Sequence, residues 1–244
     1  MRKPQIGRPT YLLALLAVMV ATMLASCAYL SEMLAQAAYD RKDYTLARQR
    51  WISLAQQGSI KAGYMLGYMY FSGTGVEQNF PEAARWFLKG AENGDPRSQN
   101  SLAAIYGGEP GVPRNDKEAA KWYLAAAKQG QILAQVSIGV CYYSGLGMAQ
   151  SFSEAAKWYR LAADQGDGPA QYNLALMYFK GEGVTRNYAE SYVWFSLAAK
   201  SLDTDVLRAT AQHDLDQVSA NLTAQEIREA RDKVASWKPR AHSR

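Results

Sequence analysis

Glu82-Ala-Ala-Arg-Trp-Phe-Leu-Lys-Gly-Ala-Glu-Asn-Gly94 decides the fold, because the chain repeats it. At a spacing of 36 residues come Glu118-Ala-Ala-Lys-Trp-Tyr-Leu-Ala-Ala-Ala-Lys-Gln-Gly130 and Glu154-Ala-Ala-Lys-Trp-Tyr-Arg-Leu-Ala-Ala-Asp-Gln-Gly166. Glu190-Ser-Tyr-Val-Trp194 opens a fourth version, and Trp51 stands 35 residues before Trp86. Outward from the tryptophans the register holds without a gap. Leu66, Leu102, Ile138 and Leu174 align, as do Tyr70, Tyr106, Tyr142 and Tyr178, and Gly75, Gly111, Gly147 and Gly183. A fixed period of this length marks an array of supersecondary units, each of which buries its apolar face only against its neighbours.

Each unit reads as two helices. Ala62, Leu66, Met69 and Tyr70 fall at i, i+4, i+7 and i+8, one apolar stripe at helical period. Position i+5 is small in every unit (Gly67, Ala103, Gly139, Ala175), which predicts close approach of the partner helix. A Gly-x-Gly turn, such as Gly73-Thr-Gly75, then leads to Asn79, Asn115, Ser151 or Asn187, each followed three residues later by glutamate. These are four expected capping boxes. Ala83 and Ala84 with the pair Trp86-Phe87 are expected to form the buried face, and Gly94, Gly130 and Gly166 the left-handed ends. No strand is required, so the expected fold class is all-α.

The pattern A-x-x-x-L-G-x-x-Y-x-x-G-x-G-V, followed by E-A-A-x-W-Y-x-x-A-A-x-x-G, resembles the Sel1-like repeat, a relative of the tetratricopeptide repeat. The resemblance covers residues 59–202 in frames 59–94, 95–130, 131–166 and 167–202. It implies a right-handed α-solenoid and an adaptor role. Departures include Ser98 for the first alanine, Glu109-Pro110 in the second turn, Met148 for valine, and Ser191-Tyr192 where Ala-Ala is usual. The last predicts that repeat four meets a different neighbour. Residues 27–58 are expected to form an N-terminal capping pair, with helices at 29–39 and 46–57 around the Asp40-Arg-Lys-Asp43 turn. Residues 203–244 form C-terminal capping helices (206–218 and 224–236) and a basic tail, with Ile227, Ala230, Val234 and Trp237 inward.

Residues 1–26 read as a signal peptide. Arg2, Lys3 and Arg8 precede an apolar run of about 15 residues, shorter than the roughly 20 of a membrane span. Leu24-Ala25-Ser26-Cys27 resembles the bacterial lipobox, which implies a diacylglycerol on Cys27 and attachment to a membrane through lipid. By the same resemblance Ala28, not aspartate, implies an outer-membrane anchor with the body in the periplasm. The alternative is plain secretion with cleavage after Ala28. The chain has 244 residues and a formal charge of +5, of which the leader supplies three charges, so no nucleic-acid partner is expected.

Chemistry has little material. Two cysteines and two histidines (His213, His242) exclude a disulfide framework and leave no metal site or cofactor to expect. Cys141 shares its stripe position with Met69, Ile105 and Met177, as a core thiol would. The Gly-x-Gly turns follow helices rather than strands, so they are poor phosphate cradles. No enzyme is expected. The variable side of the first helices is the better candidate: Tyr64, Met65, Tyr68 and Phe71; Asn100 and Ser101; Ser137 and Tyr143; Tyr172, Asn173, Leu176 and Phe179. These would line a concave groove for a peptide or partner protein, or else pack between neighbouring repeats.

The expected function is a non-enzymatic scaffold in the bacterial cell envelope. The resemblance implies secretion, envelope assembly or polysaccharide export. Two alternatives stand beside it. One is a penicillin-binding or weakly β-lactam-hydrolysing enzyme, as described for cysteine-rich relatives whose paired cysteines this chain lacks. No Ser-x-x-Lys motif supports it. The other is a surface-exposed ligand for a host receptor.

Overall fold

A computed structural model describes residues 8–240, and among these every regular element is a helix. The fold class is all-α helical repeat. The chain divides into two compact units, Met1–Gly90 and Ala91–Arg244.

The first unit carries α1 (Arg8–Asp40), α2 (Tyr44–Gln56), α3 (Ile60–Ser72) and most of α4 (Phe80–Glu92). No glycine or proline lies between Thr10 and Asp40, so nothing interrupts α1 along this length. Along it, every described side chain from Leu13 to Leu30 is exposed, and burial begins at Ser31. Ala35 and Ala38 then pack with Ala47, Trp51, Leu54, Ala62, Leu66 and Met69. Asp43 closes the α1–α2 turn: its N–H donates to Ala38 O at 2.9 Å and its carboxylate accepts from Leu46 N–H. In α3 the small position does what its size requires. A Cβ on Gly67 would lie 2.5 Å from the Phe87 ring, which is fully buried.

The second unit holds α5 (Pro96–Tyr106), α6 (Asp116–Lys128), α7 (Ile132–Ser144), α8 (Phe152–Asp164), α9 (Gly168–Lys180), α10 (Tyr188–Ser201), α11 (Asp205–Ser219) and α12 (Ala224–Ser236). Tyr159 presses on Gly139 as Phe87 does on Gly67. In repeats one and three the buried member of the aromatic pair is the second, and in repeat four both members are buried. Phe87 and Phe195 are fully buried and Tyr159 nearly so, while Trp86, Trp122 and Trp158 are only half-buried. Lysines cover two of these: Lys89 Nζ lies 4.6 Å from the Trp86 ring and Lys121 Nζ 5.0 Å from that of Trp122. The three middle tryptophans therefore mark the edge of the core, whereas Trp51 and Trp194 at the two ends of the series are buried in it.

The expected capping boxes form by half. Asn79, Asn115, Ser151 and Asn187 each accept the N–H of their glutamate. Their own N–H groups donate to Tyr70, Tyr106, Tyr142 and Tyr178 O at 2.8–2.9 Å, closing the loop onto the preceding helix. The glutamates, so relieved, pair one turn on with Arg85, Lys121 and Lys157, and Glu190 pairs with Lys233 of α12. Asn115→Ala should therefore cost about 1 kcal/mol, and Glu118→Gln less than about 0.5 kcal/mol as an exposed ion pair. Urea denaturation of the two variants separates the values.

A buried glutamine series ties successive repeats together. Gln99, Gln135 and Gln171, also 36 apart, donate Nε2 to Ala91, Ala127 and Ala163 O in the last turn of the preceding repeat. Gln129 and Gln165 in turn donate to Oε1 of Gln99 and Gln135 at 2.8 Å. The register was visible in the sequence, but buried amides look like surface residues until their partners are known. At the far end Tyr192 accepts from Arg231 at 3.1 Å, and Ser191 donates to Ala175 O, so α12 is the different neighbour of repeat four.

Candidate functional site

The outward side of the first helices is aromatic but tied down. Of the twelve residues expected there, Tyr68 is exposed and the other eleven are half-buried. In the first unit Tyr64 stacks on Tyr68 at 6.5 Å and leans on Phe87 at 5.8 Å, while Met65 packs on the core. Phe71 meets Phe80 edge-on at 5.4 Å and Phe87 at 6.4 Å. The ring contacts of this repeat thus run within it, from the first helix to the second.

The second unit follows the same rule with polar additions. Tyr143 meets Phe152 edge-on at 5.1 Å and donates its hydroxyl to Glu182 at 2.8 Å. Phe179 packs on Tyr188 at 5.7 Å, and Leu176 on the core. Tyr172 lies edge-on to Phe195 at 5.4 Å and donates to Asp214 of α11 at 2.7 Å. Burial, with that carboxylate, pushes its hydroxyl up to about 12. Sequence reasoning assigned α11 to the cap and missed that it reaches this face. Asn100 and Ser101 sit on α5, and Asn100 Oδ1 is buried without a hydrogen-bond partner.

Two recesses open on this face. One, of about 200 Å³, lies among Pro169, Tyr172, Asn173, Leu202, Leu207 and Thr210. The other, of about 260 Å³, has Gly107, Tyr123, Ser137, Val140, Cys141 and Leu146 among its walls. Burial pushes the Cys141 thiol up to about 11, so at neutral pH it stays protonated and behaves as a small apolar wall. Three of the expected residues, Ser137, Tyr172 and Asn173, thus line recesses.

Cys27 is exposed on α1, within the stretch that makes no packed contact. The helix Leu13–Asp40 contains an 18-residue window of mean hydropathy 2.2 and is long and apolar enough to cross a membrane by length and composition.

Comparison with known proteins agrees with the repeat geometry. The Sel1 repeat model matches residues 60–95, 96–131, 132–167 and 168–201, more than half of the chain. A Sel1 repeat protein from Oxalobacter formigenes is 29% identical with a TM-score of 0.71, over 84% of this chain and 85% of that one. A protective antigen of uropathogenic Escherichia coli strains, displaying an SLR fold, is 26% identical with a TM-score of 0.54. That likeness covers 85% of this chain but 52% of the antigen. Among curated proteins none matches. On the four matched repeats, each with its aromatic ring packed into a second helix behind a glycine turn, the chain belongs to the Sel1 repeat family.

Proposed function

We propose that the chain is an interaction scaffold, held at a bacterial envelope membrane by lipid on Cys27, that docks a partner protein on the outward side of its first helices. One observation carries the reading: the buried stripe is constant from repeat to repeat while the opposite side changes at each step, from Tyr68 to Ala104, Val140 and Leu176. A face kept merely for stacking has no reason to vary when the stacking residues do not. Sel1 repeats are in general protein-interaction modules, and the firm aromatic surface suits docking with little ordering cost.

The anchor is supported by where packing begins. Among the described residues, cleavage before Cys27 removes no buried side chain, since burial starts at Ser31, and it keeps the Arg50 bond to Leu34 O and the Ser59 bond to Glu32. Two or more acyl chains at about 0.8 kcal/mol per buried methylene hold a protein on a bilayer more firmly than one. Cells fed an alkynyl fatty acid should label the wild-type chain and leave Cys27→Ala unlabelled; equal labelling removes the anchor from the proposal.

Docking is tested by placing a photo-crosslinking phenylalanine analogue at Tyr68 and, separately, at Leu161, an exposed residue on a second helix. The expected result in intact cells is a discrete adduct from position 68 and none from 161. Adducts of equal yield at both positions, or none at either, would overturn the scaffold reading.

A further inference from the structure

Repeat two lacks a pair of rings that the other three repeats have. Phe71 packs on Phe80, Tyr143 on Phe152 and Phe179 on Tyr188, each pair joining the end of a first helix to the first residue of the second. The corresponding residues in repeat two are Gly107 and Asp116, and both lie in the wall of the 260 Å³ recess. The loss also uncovers a third ring. Phe71 reaches Phe87 at 6.4 Å and helps to bury it, whereas Tyr123, the equivalent of Phe87, is only half-buried and faces the opening.

We propose that this recess is an acceptor for one aromatic side chain supplied by the partner protein. The proposal rests on the scaffold reading and gives it a chemical specificity. Val136, Val140, Leu146 and the protonated Cys141 form apolar walls, and Tyr123 offers its ring for the tilted contact that Phe71 makes with Phe87 in the first repeat. At the rim Arg114 and Asp116 pair at 2.8 Å, so neither sign of charge is favoured and a neutral side chain enters without stranding an ion. The size fits: a dry cavity of about 150 Å³ suffices to hold benzene. Phenylalanine or tyrosine in an exposed segment of the partner thus completes the pattern that the chain leaves open.

The test uses methyl-labelled full chain titrated with N-acetyl-phenylalanine amide and N-acetyl-alanine amide as probes. The aromatic probe should shift the Val136, Val140 and Leu146 methyls saturably while leaving Leu133, exposed elsewhere on α7, unmoved. The alanine probe should bind at least about tenfold more weakly, the equivalent of about 1.4 kcal/mol. Restoring the missing pair with Gly107→Tyr plus Asp116→Phe should abolish the shifts. Gly107 has φ −70° and accepts a side chain, and aromatic residues already open α8 and α10 at the position of Asp116. Ser137→Trp plugs the recess from α7 and serves if the double variant loses its helical circular dichroism. Flat titrations of the wild-type chain, or shifts unchanged in a folded plugged variant, overturn the acceptor. The two readings fail separately: an adduct at Tyr68 with no methyl shift keeps the scaffold and removes the acceptor. A methyl shift with no adduct removes the scaffold.

Discussion

Gly147→Ala is expected to destabilise the second unit by roughly 2–5 kcal/mol, against about 1–2 kcal/mol for Gly145→Ala two residues earlier. Both glycines sit in the left-handed region, at φ +72° and +70°, so both substitutions carry the same backbone penalty. They differ in what a methyl group would meet. At 145 the nearest atom is Gln150 Cβ at 3.4 Å, an ordinary contact. At 147 it is Asp116 O at 1.9 Å, a backbone atom at the start of the preceding repeat's second helix. Gly183 against Phe152 and Gly75 against Tyr44 have the same relation. In the first, third and fourth turns the second glycine is therefore a joint to the preceding helix pair as well as a bend. Urea midpoints of the two alanine variants, compared at equal m-value, measure the difference; equal losses would reduce the joint to a bend.

Tyr159→Ala should cost roughly 3–5 kcal/mol and Trp158→Ala less than half of that. Tyr159 is 3% exposed and seated on Gly139, where its removal leaves a cavity that the backbone of α7 cannot fill. Trp158 is half-buried and at the margin of its cluster. The larger residue and the more conspicuous spacing thus belong to the cheaper substitution. Thermal unfolding of the two variants decides the order, and a larger loss for Trp158→Ala would move Trp158 from the margin of the core to its centre.

Period and size were legible in the sequence because they act locally. The stripe from Ala62 to Tyr70, the small residue at Gly67 and the glycine turns each constrain a single helix pair, and one helix pair is what a 36-residue window contains. What stayed hidden depends on which partner a polar or aromatic group finds. Glu118 has the spacing of a capping box, yet the Asn115 N–H goes to Tyr106 O, a choice set by the fold of the turn. Tyr172 looked free on its helix, and only the return of α11 brings Asp214 to it. Repeat two held a signal that was available but unread: Gly107 and Asp116 are unusual only when compared with 71/80, 143/152 and 179/188 as pairs, not as separate columns.

The glutamine series specifies where the array stops. Each amide oxygen in it is filled by a side chain from the second helix of its own repeat, until Gln171, whose Oε1 has no donor because Ser201 stands where Gln129 and Gln165 stood. A duplicated segment carrying glutamine at both positions, spliced between the third and fourth repeats, would extend the chain of amides by one link and leave its open terminus unchanged. Gln171 is thus the end group of the amide chain, as the last monomer of a polymer keeps the valence its predecessors have spent.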